Sequence, residues 1–434
     1  MSERILVKKA TRIEGNATIH VEIEKGRAKA VRFQVADFRG FEKFVQGKQA
    51  GSVPHIVSRI CGLCCVAHQV AGFRAVEKAL GVQVPVDVER LRQIAIAGEW
   101  IASHSLSYFF LTLPEQLGAS CGVFDLMREH PEVAAKAFWL RKAGNRIVEV
   151  LCKRSVHPVA TGIGSFLTVP TAAGLAELRN LATEICKRTL EELEAFGKQP
   201  QSACAVPFPV GHSVNFLTFD ETAPNGSFRT FNRHGEQTAA FSTDDFEGYV
   251  SEVRVDWSLA KLPFLSSLGF PDGIVLVGPL SRIFRDQGIR SEPDLAGLEL
   301  TRRISDNAAL GIDHLDVCRL LEIYCAAKRI STLLDEVDLS RPLAATFDPE
   351  VSGTGIGVVE APRGVLVHSY VLNRGLLERM RLYVATQFNN AFINLVLKDL
   401  ADRCIEADGL TDRGQNLLAR CVRLFDPCLT CATH

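Results

Sequence analysis

Two Cys-x-x-Cys pairs, far apart in this chain of 434 residues, constrain its fold more than any other feature. The first pair is Cys61 and Cys64 in RICGLCCVAH, and the second is Cys428 and Cys431 in DPCLTCATH. A histidine follows each pair a few residues later. Cysteine thiolates are strong ligands for soft and borderline metals, so the two pairs predict a metal site. Both pairs can serve one site only if the fold carries the C-terminal segment back onto the first pair.

A structural four-thiolate zinc is the simplest alternative for such a site. Local zinc ribbons and fingers bring their pairs together over roughly 12 to 20 residues, whereas most of this chain separates the two pairs. The spacing therefore argues against a local zinc module. Ligand type alone leaves the choice among zinc, nickel, copper and iron open.

Composition indicates a water-soluble protein of balanced charge. The chain has 49 basic and 50 acidic side chains, so no global field favours nucleic acid or an anionic membrane as a partner. Two uncharged windows, 155–176 and 199–219, are long enough to span a bilayer, but proline, glycine and polar residues interrupt both. The N-terminus lacks the apolar core of a signal peptide, and an odd number of scattered cysteines suits a reducing compartment. These features predict a cytoplasmic protein without a membrane span.

Periodicity in the first 198 residues predicts β structure followed by long helices. The segment TIHVEIEKGRAKAVRFQVADF alternates apolar and polar residues around Lys25 and Gly26, a pattern typical of a β-hairpin. After His68 the apolar residues recur at helical spacing. The predicted helices are HQVAGFRAVEKAL, VERLRQIAIAGEWIASHSLSYFFLTL, EVAAKAFWLRKAGNRIVEVLCKR and AAGLAELRNLATEICKRTLEELEAF.

The rest of the chain predicts a sheet-rich excursion and then more helices. Turn residues interrupt short β-branched and aromatic runs from about residue 199 to residue 278. Helices are predicted to resume at 313–334 and 372–401. We therefore predict an α+β fold, mainly helical, with a central bundle of long helices, an N-terminal β-hairpin region and a small sheet-rich excursion.

One domain over 1–434 accounts best for metal ligands near both ends of the chain. Its predicted parts are a β-rich region at 1–54, the first metal motif and helices at 55–198, a mixed β and loop excursion at 199–300, and helices with the C-terminal metal motif at 301–434.

Five segments resemble the large, catalytic subunit of nickel-iron hydrogenases, and they span nearly the whole chain in the family's order. These segments are TRIEGN at 11–16, FRGFEKFVQGK at 38–48, RICGLCCVAH at 59–68, EAPRG at 360–364 and FDPCLTCATH at 425–434. Among subtypes, FRGFEKFVQGK and IASHSLSYFFLTLPE make the chain most similar to the cytoplasmic, multimeric hydrogenases related to the deazaflavin-non-reducing enzymes of methanogens. The resemblance implies reversible oxidation of molecular hydrogen to protons and electrons. Alternatives are a sulfur-reducing or nicotinamide-linked hydrogenase subunit, or a zinc-binding homologue without activity.

The resemblance also implies roles for the cysteines. Cys61 and Cys428 would be terminal nickel ligands, and Cys64 and Cys431 would bridge nickel to an iron that carries carbon monoxide and cyanide. Cys65 fits better as a buried small residue. Eight further cysteines form no such pair, so no iron-sulfur motif is recognisable, and electrons would need clusters on another subunit.

Three acidic or basic residues receive catalytic roles from the same resemblance. Arg363 in EAPRG would lie over the metals, where its fixed charge could hydrogen-bond a cyanide; a surface salt bridge is the alternative. Ser103 stands where family members often carry an aspartate that orients this arginine. Asp426 could pair with Arg363 instead, or serve only as the turn residue before a proline. Glu14 would be the first proton carrier near Cys428, with an ion pair to a nearby arginine as the alternative.

Glu42 and His434 resemble ligands of a second ion, usually magnesium in the family. Imidazole is a minority donor for magnesium, so this assignment depends on the resemblance, and a solvated charge is the alternative for Glu42. His68 is expected to orient a cysteine from behind the site. The sequence stops at His434, where the family's maturation protease cuts, so the mature form is expected.

The expected partners follow from the missing clusters. They are an iron-sulfur small hydrogenase subunit, further electron-transfer subunits of a heterodisulfide-reductase-like or flavin-bearing kind, a maturation protease and nickel chaperones. Neither nucleic acid nor a membrane is expected to bind.

Overall fold

The computed structural model describes residues 4–117, 122–198, 206–223, 226–285, 292–295, 298, 310–406 and 409–434. Long helices and several small, mostly antiparallel sheets alternate along these residues, which confirms the predicted α+β class. No helix among the described residues is both long enough and apolar enough to cross a bilayer.

Five long helices in the first 336 residues confirm the helical predictions. They are α1 (Cys65–Leu80), α2 (Val86–Leu106), α3 (Pro131–Cys152), α4 (Ala172–Lys198) and α5 (Leu315–Glu336). Helix α2 contacts α3, α3 contacts α4, α4 contacts α5, and α5 returns to α2. These four helices form the predicted central bundle. Each turns a stripe of apolar residues inward, as helix α3 does with Leu140, Ile147 and Leu151.

Two glycines allow α2 and α3 to pack backbone against backbone. A Cβ atom on Gly144 would lie 2.5 Å from the backbone nitrogen of Ala102, and one on Gly98 would lie 2.8 Å from the Ile147 side chain. The close approach fixes the C-terminal half of α2, which carries Ser103.

The N-terminal region is a three-stranded antiparallel sheet in the order β1 (Arg4–Lys9), β2 (Ala17–Glu24), β3 (Arg27–Val35). The predicted hairpin is β2 and β3, and its turn residues Lys25 and Gly26 both have positive φ. Strand β1 pairs with the other edge of β2 and was not predicted.

The predicted sheet-rich excursion is also present. Strands β4 (Asn215–Asp220), β5 (Ser227–Asn232) and β6 (Gln237–Ser242) form an antiparallel sheet, extended by Val275–Leu276 alongside β4. A separate hairpin follows, made of β7 (Val250–Val255) and β8 (Ser258–Leu265).

The predicted helix at 372–401 is wrong in its first half. Residues up to Tyr383 belong to an antiparallel sheet of β9 (Gly353–Ala361), β10 (Gly364–Asn373) and β11 (Leu376–Tyr383), and helix α6 covers only Ala385–Cys404. The segment LLERMRLY contains good helix formers. However, Arg374 and Gly375 both have positive φ, as a tight hairpin turn requires, and pairing with β10 outweighs the local preference.

Helix α7 (Asp412–Phe425) leads into the C-terminal segment. The short helices elsewhere are Phe41–Phe44, Ala50–Ser52, Val53–Val57, Ser58–Ile60, Ser107–Thr112, Leu113–Gln116, Val123–Glu129, Phe246–Tyr249, Pro279–Arg285, Ile312–His314 and Leu429–Ala432. The short strand pairs are Thr161–Gly162 with Ser165–Phe166, and Ile405–Glu406 with Gly409–Leu410.

A row of glycines seats β9 directly on α1. Gly353, Gly355 and Gly357 recur every second residue, and each faces the carbonyl of an alanine on α1, at positions 79, 75 and 71 respectively. Two residues of a strand rise about 6.6 Å and four residues of a helix about 6 Å, so the two rows stay in step. Because no Cβ fits at these three glycines, the contact holds the β9–β11 sheet against the helix that begins at Cys65.

We expect Gly357→Ala to destabilise the protein by about 1–3 kcal/mol, since its methyl group would overlap the Ala71 carbonyl. Urea denaturation measures the change. Gly248→Ala is the matched control, because nothing lies within 4 Å of a Cβ there. Equal stability of the two variants would contradict the close-contact explanation.

Candidate metal centre

The structure brings the four predicted cysteines together. The sulfur atoms of Cys61, Cys64, Cys428 and Cys431 all lie within 4.8 Å of one another, and all four side chains are buried. The Sγ–Sγ distance is 3.3 Å for Cys61–Cys428 and for Cys64–Cys431. Two metal-thiolate bonds of about 2.3 Å can bridge sulfurs at this separation. The donor set therefore fits a thiolate-bound transition metal.

Local backbone structure places each Cys-x-x-Cys pair at the metal centre. Cys61 is extended after the turn Ser58–Ile60, and Cys64 is the N-cap of α1. Cys428 caps the short helix Leu429–Ala432, so its partner Cys431 lies one turn further on the same side. The backbone N–H of Cys428 donates to the Thr386 hydroxyl at the start of α6 over 3.0 Å.

Electrostatics favour a thiolate at Cys61, whereas the pKa values of Cys64, Cys428 and Cys431 are raised. Hydrogen bonds from Cys428 and the other two thiols hold the pKa of Cys61 well below its ordinary value, and the charge of Arg363 lowers it further. Burial raises the pKa of Cys431, so the cluster without a cation cannot hold four anionic sulfurs. A bound metal supplies the missing positive charge.

Arg363 lies in the interior beside the cysteines and not at the surface. Its Nη2 is 2.9 Å from Asp426 Oδ2, and its Nε donates to the Asp426 carbonyl over 2.6 Å. Ser103 Oγ accepts from Nη1 at 3.4 Å, so the serine contributes only a long hydrogen bond. Burial alone would lower the pKa of Arg363, but Asp426 and the cysteine sulfurs raise it well above its usual range. Asp426 also has a positive φ at the end of α7. The same residue therefore forms the turn before the proline and the ion pair with Arg363.

A buried ionic network behind Arg363 was not predicted from the sequence. Arg282 contacts the carboxylates of Glu322 and Glu360 at 2.6–2.7 Å and donates to the carbonyls of Ala361 and Pro362. These contacts clamp the EAPRG segment. Glu360 is the first residue of the EAPRG motif, so one member of this network was visible in the sequence.

Glu14 reaches the cluster through Thr430, another residue that the sequence did not predict. Glu14 Oε1 accepts from the Thr430 hydroxyl at 2.7 Å, and Oε2 accepts from the Thr430 backbone N–H at 3.1 Å. The Thr430 hydroxyl is 3.7 Å from Cys428 Sγ. Glu14 is partly buried, and Arg12, its candidate ion-pair partner, instead contacts Glu115.

Glu42 and His434 also lie together, although 392 positions separate them. Glu42 Oε1 is 3.3 Å from His434 Nε2, and Glu42 Oε2 is 3.4 Å from the Lys261 ammonium. Lys261 is also 3.4 Å from Glu252, whose Oε1 is buried without a hydrogen-bond partner among the described residues. Burial would raise the pKa of Glu42, but the hydrogen bond and charge of His434 and the charge of Lys261 hold it at about 2. An imidazole and two carboxylates, one of which has the unpartnered oxygen, are donors for a divalent cation, and in this structure the Lys261 ammonium lies between the two carboxylates.

The remaining described cysteines lie outside the cluster, and none of the described cysteines forms a disulfide. Cys65 is buried, and its sulfur accepts the His157 backbone N–H at 3.2 Å, in agreement with a packing role. Cys121 and Cys204 lie outside the described residues.

Comparison with known proteins gives one consistent result. The family described as nickel-dependent hydrogenase matches residues 39–114 and 316–434. The matching chain of the F420-non-reducing hydrogenase of Methanothermobacter marburgensis is 31% identical, with 99% of this chain and 94% of the relative aligned. The beta chain of the NAD-reducing hydrogenase HoxS of Cupriavidus necator is 28% identical, with 100% of this chain and 95% of the relative aligned.

Solved structures agree with these relatives. An NAD+-reducing nickel-iron hydrogenase in the H2-reduced state superposes with a TM-score of 0.88 and 26% identity, and both chains are covered completely. The Ni-Fe-Se hydrogenase of D. vulgaris Hildenborough, at 20% identity and a TM-score of 0.79 with both chains covered completely, shows the shared fold.

We expect Cys428→Ala to lose the bound metal, because it removes one of the four anionic sulfurs and leaves the others without a closed ligand set. Elemental analysis for nickel, iron and zinc measures the loss. Cys421→Ala, a buried cysteine of α7 outside the cluster, should keep the metal. Normal metal content in Cys428→Ala would show that this cluster is not the metal site.

Proposed function

This chain belongs to the large subunits of nickel-iron hydrogenases, and we propose a role in the hydrogenase reaction for each residue around the four-cysteine site. The observation that carries the function is the convergence of two Cys-x-x-Cys pairs on one buried site in a chain that aligns with its relatives over almost its full length. When bound, the nickel-iron centre supplies the polarisation and cleavage of hydrogen into protons and electrons.

We assign Cys61 and Cys428 as terminal nickel ligands, and Cys64 and Cys431 as bridges to iron. A small cavity lined by Cys64, Cys428, Cys431, Arg363 and His68 supports a metal at this face of the cluster. The division into terminal and bridging cysteines rests on the resemblance to the family. The test is direct: the purified holoenzyme should contain near-stoichiometric nickel and show infrared bands from iron-bound diatomic ligands. A structural zinc protein would show neither.

Arg363 supplies a permanent positive charge at this cavity. Its partner Asp426 holds the guanidinium in place from two sides, by its carboxylate and its carbonyl. Directional N–H donors fixed in a dry site can bind cyanide and stabilise charge that develops during hydrogen cleavage, without reorganisation.

The proton leaves through Thr430 and Glu14. A proton on Cys428 can pass to the Thr430 hydroxyl and then to Glu14 Oε1, because each step joins neighbouring heavy atoms. Glu14 is partly exposed and hands the proton onward.

Glu14→Gln should keep the metal and the fold but slow hydrogen oxidation and hydrogen-deuterium exchange with solvent by about 100-fold or more, since an amide cannot carry the proton. Thr430→Val, which keeps the shape and removes the hydroxyl, should slow the same exchange. Glu22→Gln is the control, because Glu22 pairs with Arg32 in the N-terminal sheet, away from the cysteines. Wild-type exchange in a fully metallated Glu14→Gln enzyme would move the proton path elsewhere.

Glu42 and His434 are proposed as ligands of a divalent ion, magnesium in the first instance. His434 Nδ1 also contacts the Cys431 carbonyl at 2.8 Å, so an ion on Nε2 would tie the C-terminal residue to the loop of Glu42 and stabilise the position of Cys431. Glu252 on β7 and Lys261 on β8 complete this polar site.

An iron-sulfur small subunit is the proposed electron acceptor of the chain. The relatives are themselves named as subunits, which supports a multimeric enzyme. Val156, at 44% exposure, contacts Gly62 in the first cysteine loop. An exposed apolar side chain at this loop suits a protein partner whose cluster must come close to the nickel. The described cysteines form no disulfide, which suits our proposal of assembly in the cytoplasm.

Val156→Asp should weaken assembly with a co-expressed small subunit, since a charge would be buried in the contact, and electron transfer to a dye should fall with the assembled fraction. Leu268→Asp, at 49% exposure in the turn after β8, is the control. Size-exclusion chromatography measures assembly. Full dye reduction by the metal-loaded chain without a small subunit would contradict the need for that partner.

A further inference from the structure

Three buried side chains form a hydrogen-bonded row that leads from the cysteine cavity into the protein interior. His68 Nδ1 is 3.1 Å from His368 Nε2, and His368 Nδ1 is 2.8 Å from Tyr370 Oη. All three residues are fully buried. His68 lines the cavity with Cys64 and Cys431, and its Nε2 is buried without a hydrogen-bond partner among the described residues.

The spacing of residues on strand β10 matches the spacing on helix α1, and this match creates the hydrogen-bonded row. His368 and Tyr370 are two residues apart on β10, so they point to the same face of the sheet, which packs on α1. His68 and Gly72 are one turn apart on α1. Tyr370 Oη lies against Gly72, where a Cβ would sit 3.1 Å from the oxygen. Gly72 therefore makes room for the Tyr370 phenol at the inner end of the hydrogen-bonded row.

The hydrogen-bond direction follows from the phenol. Among the described residues, His368 Nδ1 is the hydrogen-bond partner of the Tyr370 hydroxyl, and a buried hydroxyl that fails to donate loses free energy. The hydroxyl therefore donates to Nδ1 of His368. A neutral imidazole has one N–H, so His368 carries its proton on Nε2 and donates it to Nδ1 of His68. His68 in turn carries its proton on Nε2.

We propose that Tyr370 and His368 are positioning residues that fix the tautomer of His68, so that its Nε2–H enters the cysteine cavity as a neutral donor to an anionic ligand of the metal centre. The inference rests on the proposed nickel-iron site. The acceptor is an anion of that site, a cysteine sulfur or a cyanide. Nδ1 of each ring accepts a hydrogen bond in this arrangement and so carries no proton, which makes both rings neutral.

A neutral donor complements Arg363. The guanidinium brings a full charge to one side of the cavity, whereas His68 brings a dipole that polarises an anionic ligand without changing the net charge. If the tautomer were free, His68 would present a lone pair to the same anion for part of the time. The phenol at the inner end of the hydrogen-bonded row prevents this.

Infrared spectroscopy of the assembled holoenzyme tests the inference. In Tyr370→Phe the direction of the two hydrogen bonds is no longer fixed, so the infrared bands of the iron-bound diatomic ligands should shift or double. The kcat for hydrogen oxidation should fall about five- to tenfold, as expected for one lost hydrogen bond. Nickel content and the thermal midpoint should match those of Tyr108→Phe, a control that removes another buried phenol, one bonded to Glu192.

Two variants of His368 make the test independent of the tyrosine. His368→Gln can accept from Tyr370 with its oxygen and donate to His68 with its nitrogen, so wild-type bands are expected. His368→Leu can do neither and should reproduce the band changes of Tyr370→Phe. Unchanged bands in both Tyr370→Phe and His368→Leu would overturn the inference. A wild-type enzyme without nickel or diatomic bands would instead refute the proposed metal site.

Discussion

The return of the C-terminal segment onto the N-terminal region is the constraint on which the rest of the structure depends. Backbone bonds hold this segment on two sides: Leu429 N–H donates to the Glu14 carbonyl at 3.2 Å, and Arg39 N–H donates to the Thr433 carbonyl at 3.1 Å. The Thr386 hydroxyl holds a third side. Each contact joins parts of the chain that are far apart in sequence, so the metal site forms only when the whole fold has formed. Metal binding and folding are therefore coupled in this protein.

Burial then decides the chemistry of the site. In the dry interior the cysteine sulfurs, Arg363 and Asp426 interact more strongly than they would in water, and each charge needs a fixed partner. The network of Arg282, Glu322 and Glu360 meets this need for the EAPRG segment. The site consequently offers one permanent cation, one imidazole and four sulfurs, and Thr430 and Glu14 form the proposed exit for a proton. This division of roles comes from position, since the same residue types at the surface would be solvated.

The sequence predicted most of the architecture because the relevant signals are local. Helical periodicity indicated the bundle helices, and alternation around Lys25 and Gly26 indicated the first hairpin. The prediction failed at Leu376–Tyr383, where good helix formers make a strand because the turn at Gly375 and pairing with β10 decide the conformation. Strand pairing is a long-range property, and no window of that segment contains it.

The sequence by itself singled out the four cysteines that the structure brings together, because two Cys-x-x-Cys pairs and their surrounding motifs are present in the primary structure. The resemblance carried by those motifs also singled out Glu14, Arg363 and Asp426, and Glu42 and His434 for a second ion. Only the tertiary structure decided how these residues connect. It placed Thr430 between Glu14 and Cys428, turned Arg12 away to Glu115, and set Tyr370 behind His368 and His68. Hydrogen bonds are directional and short, so which donors and acceptors meet is settled by packing between a helix and a sheet, and sequence motifs do not encode that contact.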